Sequence, residues 1–237
     1  MPYPRVLVAV AALLASVSVW AQSAPAANAD DTRNAQLLQE GAQLAKASRQ
    51  AEAIDDFDKV AAFYENAYRD ETARLYSARS QAESLLYLME AANAKTSAKV
   101  VSSNWAYAYY LKAYALIELN RTDEAKTILQ RAIDMAPHNA QFHAELGNLY
   151  QREKNWPLAL ASFNAAARDA REFSPPQIKN NELGRAWRGT AYVYVEQNRL
   201  DEAEALYRKC LELDPKDGRA AAELRYVQAQ RAKAGNP

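Results

Sequence analysis

The chain has 237 residues, of which 49% are apolar, so it can bury a sizeable core in one or two domains. Twenty-nine basic residues balance twenty-nine acidic ones, which excludes a general field for nucleic acid or anionic lipid. Only 6 glycines occur among abundant Ala, Leu, Glu, Gln and Arg, a composition that favours helix, and the single cysteine, Cys210, cannot form an intramolecular disulfide.

In chain order, residues 1–21 read as a Sec-type signal peptide. Arg5 supplies a weak positive start, Val6 to Val19 is apolar apart from two serines, and Val19-Trp20-Ala21 places cleavage before Gln22. The run is short for a bilayer span, with an uncleaved anchor as the alternative, and no cysteine follows it to carry a lipid. The expectation is export, to the periplasm of a Gram-negative cell or beyond, with no membrane span after cleavage. Residues 22–33 are small, polar and Pro-containing, and read as a disordered linker.

From residue 34 onward a pattern of about 34 residues returns. Block 34–67 carries Leu37, Gly41, Leu44, Ala53, Phe57 and Val60. Residues 68–105 fit the pattern poorly: Glu71–Ser77 suggests a short first helix, Ser80–Ala94 a second, and Lys95–Asn104 an irregular connector. Block 106–139 carries Tyr109, Ala113, Leu116, Ala125, Leu129, Ala132 and Pro137; block 140–173 carries Leu146, Gly147, Tyr150, Ala159, Phe163 and Ala166. After a ten-residue insertion, Ser174–Leu183, block 184–217 carries Trp187, Ala191, Tyr194, Ala203, Tyr207, Cys210 and Pro215. That insertion reads either as a tolerated surface loop or as a functional edge. Residues 218–233 read as a terminal helix covering the last apolar face. The small residues let paired helices cross closely, and the proline ends the second helix of each pair. Between the helices, Thr122 or Asp123 and Asp201 are the expected N-caps, and Pro157 suits a first turn.

These blocks resemble the tetratricopeptide repeat (TPR), a helix–turn–helix with W-x2-L-G-x2-Y, A-x3-F and P. The resemblance implies an all-α solenoid, a right-handed superhelix of about four to five repeats plus a capping helix. It also implies that residues two, five, nine and twelve places into each block face a concave protein-binding groove. Those are Tyr107, Tyr110, Tyr114 and Ile117; Gln141, Ala144, Asn148 and Gln151; and Arg185, Arg188, Tyr192 and Val195, with Arg219 and Tyr226 on the terminal helix. Tyr107, Tyr110 and Tyr114 form one stripe, suited to gripping a peptide or to packing against the connector. Arg185 and Arg188 lie one turn apart, able to hold a carboxylate or to sit on a solvated face. The carboxylate clamp that some members use is not carried over: Asn148 stands at a clamp asparagine, but Ala144 and Gly189 stand where lysine and arginine would.

No motif for catalysis, cofactor or metal emerges. His138 falls in a turn, His143 at a packing position, and Cys210 where the repeat wants a small apolar residue. The expected function is a non-enzymatic periplasmic scaffold or adaptor holding a protein or peptide of the cell envelope. The alternatives are a stoichiometric inhibitor or immunity protein for a secreted toxin, or a non-catalytic accessory subunit of an envelope enzyme. Nucleic acid is not an expected partner, and a homo-oligomer is possible through Cys210 or exposed array ends.

Overall fold

The computed structural model describes residues 29–234; the signal-peptide reading and residues 22–28 of the linker lie outside them. The elements run α1 (Ala29–Lys46), α2 (Gln50–Ala67), β1 (Arg74–Ala78), α3 (Gln81–Asn93), β2 (Ala98–Ser102), α4 (Ser103–Glu118) and α5 (Thr122–Met135), then α6 (Ala140–Arg152), α7 (Trp156–Glu172), α8 (Pro176–Glu196), α9 (Leu200–Leu213) and α10 (Gly218–Ala234). The fold is the expected all-α TPR type, and the chain divides after Ala136 into two compact units.

The four helical hairpins, α1/α2, α4/α5, α6/α7 and α8/α9, turn in the same way. Ser48, Asn120, Lys154 and Asn198 each adopt a left-handed conformation, with φ between 57° and 61°. In each turn that residue's N–H bonds three residues back, and the next N–H bonds five back, as in Asn120 to Ile117 (3.0 Å) and Arg121 to Leu116 (2.9 Å). This closure satisfies carbonyls left open at the helix end. The second helices start earlier than the expected caps. Arg121 and Arg199, not Thr122, Asp123 or Asp201, occupy the N-cap positions of α5 and α9, and neither makes a side-chain cap. Instead Arg49, Arg121 and Arg199 each pair with a glutamate three residues on, Glu52, Glu124 and Glu202. Only α7 has a side-chain cap among these second helices, from Asn155 to the Leu158 N–H at 3.4 Å.

In the first unit, α1 packs on α2, α2 on α4 and α4 on α5. Helix α1 begins at Ala29, so residues 29–33, expected in the linker, are helical. Asp30 and Asp31 favour the positive N-terminal end, and tertiary bonds hold the turn. The Tyr64 hydroxyl donates to Asp31 at 2.5 Å, and the Asn104 amide donates to the Asp31 carbonyl at 3.0 Å.

The weak block contains a structure the pattern did not foresee. β1 and β2 pair in parallel, Arg74 opposite Ala98 through Ala78 opposite Ser102. Glu71–Ser77 is therefore not a short helix, and half of Lys95–Asn104, from Ala98 to Ser102, is strand. A seven-residue helix is too short to hold itself in water, whereas β-branched Val100 and Val101 offer a ladder partner. Parallel strands need a crossover, and α3 supplies it, starting where Ser80–Ala94 was expected to be helical. Ser80 caps α3 by accepting from the Glu83 N–H at 3.2 Å. Glu83 reaches back to the Arg79 N–H at 2.5 Å, and the two side chains form an ion pair that is almost fully buried. Tyr76 and Tyr87 stack at 4.9 Å in the small core between sheet and helix.

In the second unit, α6 packs on α7, α7 on α8, α8 on α9 and α9 on α10. The insertion Ser174–Leu183 is not a loop: from Pro176 it forms the first turns of the 21-residue α8. Pro176 is preorganised for a first helical position, and no glycine or proline interrupts the run from Gln177 to Leu183. Buried Ser174 donates to Glu182 one helical stretch further on, pinning the start of α8.

Candidate binding sites

In the first unit, the tyrosine stripe of α4 is not uniformly at the surface. Tyr107 and Tyr114 are half-buried, but Tyr110 is 0% exposed, its ring edge-on to Tyr107 at 6.1 Å. Tyr110 is thus core, and the stripe offers Tyr107 and Tyr114 alone.

A more developed site lies one face away, where β1, α4 and α5 meet. Leu75, Trp105, Tyr109, Arg131, Asp134 and Met135 enclose an open pocket of about 260 Å³. Its wall is rigid. Trp105 stacks with both Tyr64 and Tyr68, each 5.7 Å away and nearly parallel. Its indole N–H donates to the Tyr109 hydroxyl at 2.9 Å, and that hydroxyl donates to Glu65 at 2.6 Å. Arg131 lies 4.3 Å over the Tyr109 ring and donates to both Glu65 and the Tyr109 hydroxyl at 2.7 Å. Burial pushes the Tyr109 phenol up, and that of Tyr64 up to about 12, so both remain donors at neutral pH. The Tyr109 hydroxyl, followed by Arg131, holds the Glu65 carboxyl below its ordinary range. The site joins apolar walls to a fixed hydrogen-bonding and charged rim. Repeat alignment alone did not single it out, because Leu75 comes from the strand. The available signal was aromatic density: Tyr64, Tyr68, Trp105 and Tyr109 all fall at the first hairpin and the start of α4.

In the second unit, Asn148 and Gln151 of α6 are half-buried, and Tyr192 of α8 is 37% exposed. Arg185 and Arg188 are engaged by the chain's own carboxylates. Arg185 pairs with Glu145 of α6, tying neighbouring repeats together. Arg188 pairs with Asp217, which also accepts from the Ala220 N–H at 3.0 Å and so caps α10. The two arginines are therefore not a ready pair for a partner's carboxylate; binding one would require exchange of an internal ion pair.

The residues examined for chemistry are placed as structure. Cys210 is buried among Ala191, Ala203 and Tyr207, and burial raises its thiol to about 11. His138 and His143 flank the wholly buried Asp169 at 3.5 and 3.6 Å, and His143 also meets the Pro137 carbonyl at 2.8 Å. Among the described residues no cluster of His, Cys, Asp or Glu is arranged to hold a metal ion. None of their helices is long and apolar enough to cross a membrane.

Helical hairpins with glycine or alanine at their crossings belong to the class of repeat scaffolds, which present surface rather than enclose a reaction. The particular repeat is identified by family profiles: the tetratricopeptide repeat matches residues 106–139 and residues 140–216. The chain thus carries TPR repeats, a fold that is generally a non-catalytic protein-interaction scaffold. Solved structures agree on the fold. Pseudomonas aeruginosa pilF superposes with a TM-score of 0.61 at 13% identity, covering 87% of this chain and 72% of that one. MamA of Desulfovibrio magneticus RS-1 gives 0.53 at 14%, covering 86% and 87%. No curated protein matches the chain.

Proposed function

We propose that this chain is an exported scaffold of the cell envelope that holds a protein or peptide partner. The observation that carries the reading is the open depression where β1, α4 and α5 meet: Arg131 and Asp134 stand exposed at its rim, with Leu75 and Met135 half-buried beside the buried Trp105 and Tyr109. Tyr107 and Tyr114 in the first unit, and Asn148, Gln151 and Tyr192 in the second, are half-buried or exposed and stand as secondary candidates for partner contact. The repeat family supports a protein partner, and the signal-like residues 1–21 support export.

The test is recovery of partners from envelope extract with the wild-type chain, an Arg131→Ala/Asp134→Ala variant and a Tyr192→Ala variant. Circular dichroism and melting curves check that both variants keep the wild-type fold. A partner retained by wild type and lost from the first variant places binding at the pocket; equal recovery by all three refutes the site. Fusing residues 1–28 to a reporter active only outside the cytoplasm tests export, and a silent reporter refutes it.

A further inference from the structure

We infer that α3 is a self-association surface, through which two copies of this chain pair antiparallel about a two-fold axis. The helix is apolar on both sides. Its inner face, with Tyr87 and Ala91, lies on the β1–β2 sheet. Its outer face exposes Leu85 at 60%, Leu88 at 41% and Met89 at 55%. A helix with apolar side chains on two opposite faces can pack on both, and the described residues cover only one.

The spacing on the outer face selects the occupant. Ala82, Leu85, Met89 and Ala92 follow intervals of three, four and three, the seam of a two-helix coiled coil. Its order of sizes, small–large–large–small, is the same read in either direction. Antiparallel pairing therefore sets Ala82 against the partner's Ala92 and Leu85 against the partner's Met89. The alanines let the helix ends approach while the large side chains fill the middle, and Leu88 flanks the seam. A surface self-complementary under reversal is what a closed two-fold contact requires.

Charge agrees. The exposed residues of α3 are Gln81, Ala82, Leu85, Leu88, Met89, Ala92 and Asn93, none of them ionised, so two copies meet without like-charge repulsion. The helix contains no lysine or arginine, which an interfacial membrane helix would carry on its polar face. The patch is of order 300 Å². Two such patches fall short of the ~1,200 Å² of a stable specific interface, so the dimer is weak and reversible. This association uses a different surface from the Trp105 pocket and does not depend on that reading.

The experiment is sedimentation velocity of the full chain from about 5 μM to about 1 mM, with Leu85→Glu and Met89→Glu variants checked for unchanged circular dichroism. The expected result is a rise toward twice the monomer mass in wild type and at least a ten-fold weakening in each variant. Register is read by mixing Leu85→Cys with Met89→Cys under oxidation: the mixed disulfide should exceed either self-disulfide, while buried Cys210 stays out of the exchange. A monomer throughout the range overturns the proposal, as does association undiminished in Leu85→Glu. Cross-linking that favours the self-disulfides overturns the antiparallel register.

Discussion

Phe163 of α7 is held between two glycines from two different helices. A methyl group added at Gly147 of α6 would lie 2.7 Å from two carbons of the ring, and one at Gly189 of α8 would lie 2.3 Å from Cε1 and 2.5 Å from Cζ. Ordinary carbon contacts are about 3.5–4.0 Å, so Gly189→Ala forces the ring, which is fully buried, to move by more than about 1 Å. Overpacking of this kind costs about 1–3 kcal/mol. Against it stands the gain of alanine over glycine within a helix, about 1 kcal/mol. The expected net effect of Gly189→Ala is therefore a loss of up to about 2 kcal/mol. The informative comparison is the same change in a Phe163→Ala background, where Cδ1, Cε1 and Cζ no longer exist. There the clash vanishes and only the helix preference remains, so Gly189→Ala should become neutral or stabilise by up to about 1 kcal/mol. Urea denaturation followed by far-UV circular dichroism on the four proteins measures the cycle. An equal penalty for Gly189→Ala in both backgrounds would refute the reasoning. The same contact explains why the arginine of a carboxylate clamp has no place at residue 189.

Three further outcomes are expected. Hydrogen bonds from Arg208, Gln228 and Arg231 lower the Glu204 carboxyl to about 2, below its unfolded value near 4.3, so its stabilisation is full above about pH 5 and is lost as pH falls toward 2; Glu204→Gln should cost about 1 kcal/mol at pH 7, and its gap from wild type should close in acid, as read from melting curves. Because burial raises the Cys210 thiol to about 11, a thiol reagent at pH 8 should leave the folded chain unlabelled and label it fully in denaturant; stoichiometric labelling of the native protein would contradict this placement. Arg79→Met strands the Glu83 carboxylate in the core of the βαβ segment, and breaking such a pair costs about 3–5 kcal/mol, so hydrogen exchange across residues 74–102 should accelerate while α6–α9 stay protected; unchanged exchange in β1 and β2 would show that the pair does not hold the segment.

The repeat itself was legible in the sequence because it is written locally. Close helix crossings demand a small residue within each block, and Gly147 and Ala159, with Phe163 filling the space beside them, state that demand without reference to the rest of the chain. The same holds for the Ser80-Gln81-Ala82-Glu83 start of α3, where a cap and its glutamate are three residues apart. What depended on distant partners was not legible. Arg74–Ala78 becomes strand only because Ala98–Ser102, some two dozen residues on, lies beside it, and no periodicity within five residues announces a parallel partner. Tyr107, Tyr110 and Tyr114 share a helical stripe, yet only the packed structure removes Tyr110 from the surface. Arg185 and Arg188 look equally available along α8, but Glu145 and Asp217 reach them from other helices, and Ser174–Leu183 turns from an insertion into helix once Glu182 binds Ser174. Short-range sterics of helix pairing thus determined the repeat and its core from sequence alone. Which side chains remain for a partner was decided by tertiary contacts, since exposure and ion pairing belong to the assembled neighbours of a residue rather than to the residue itself.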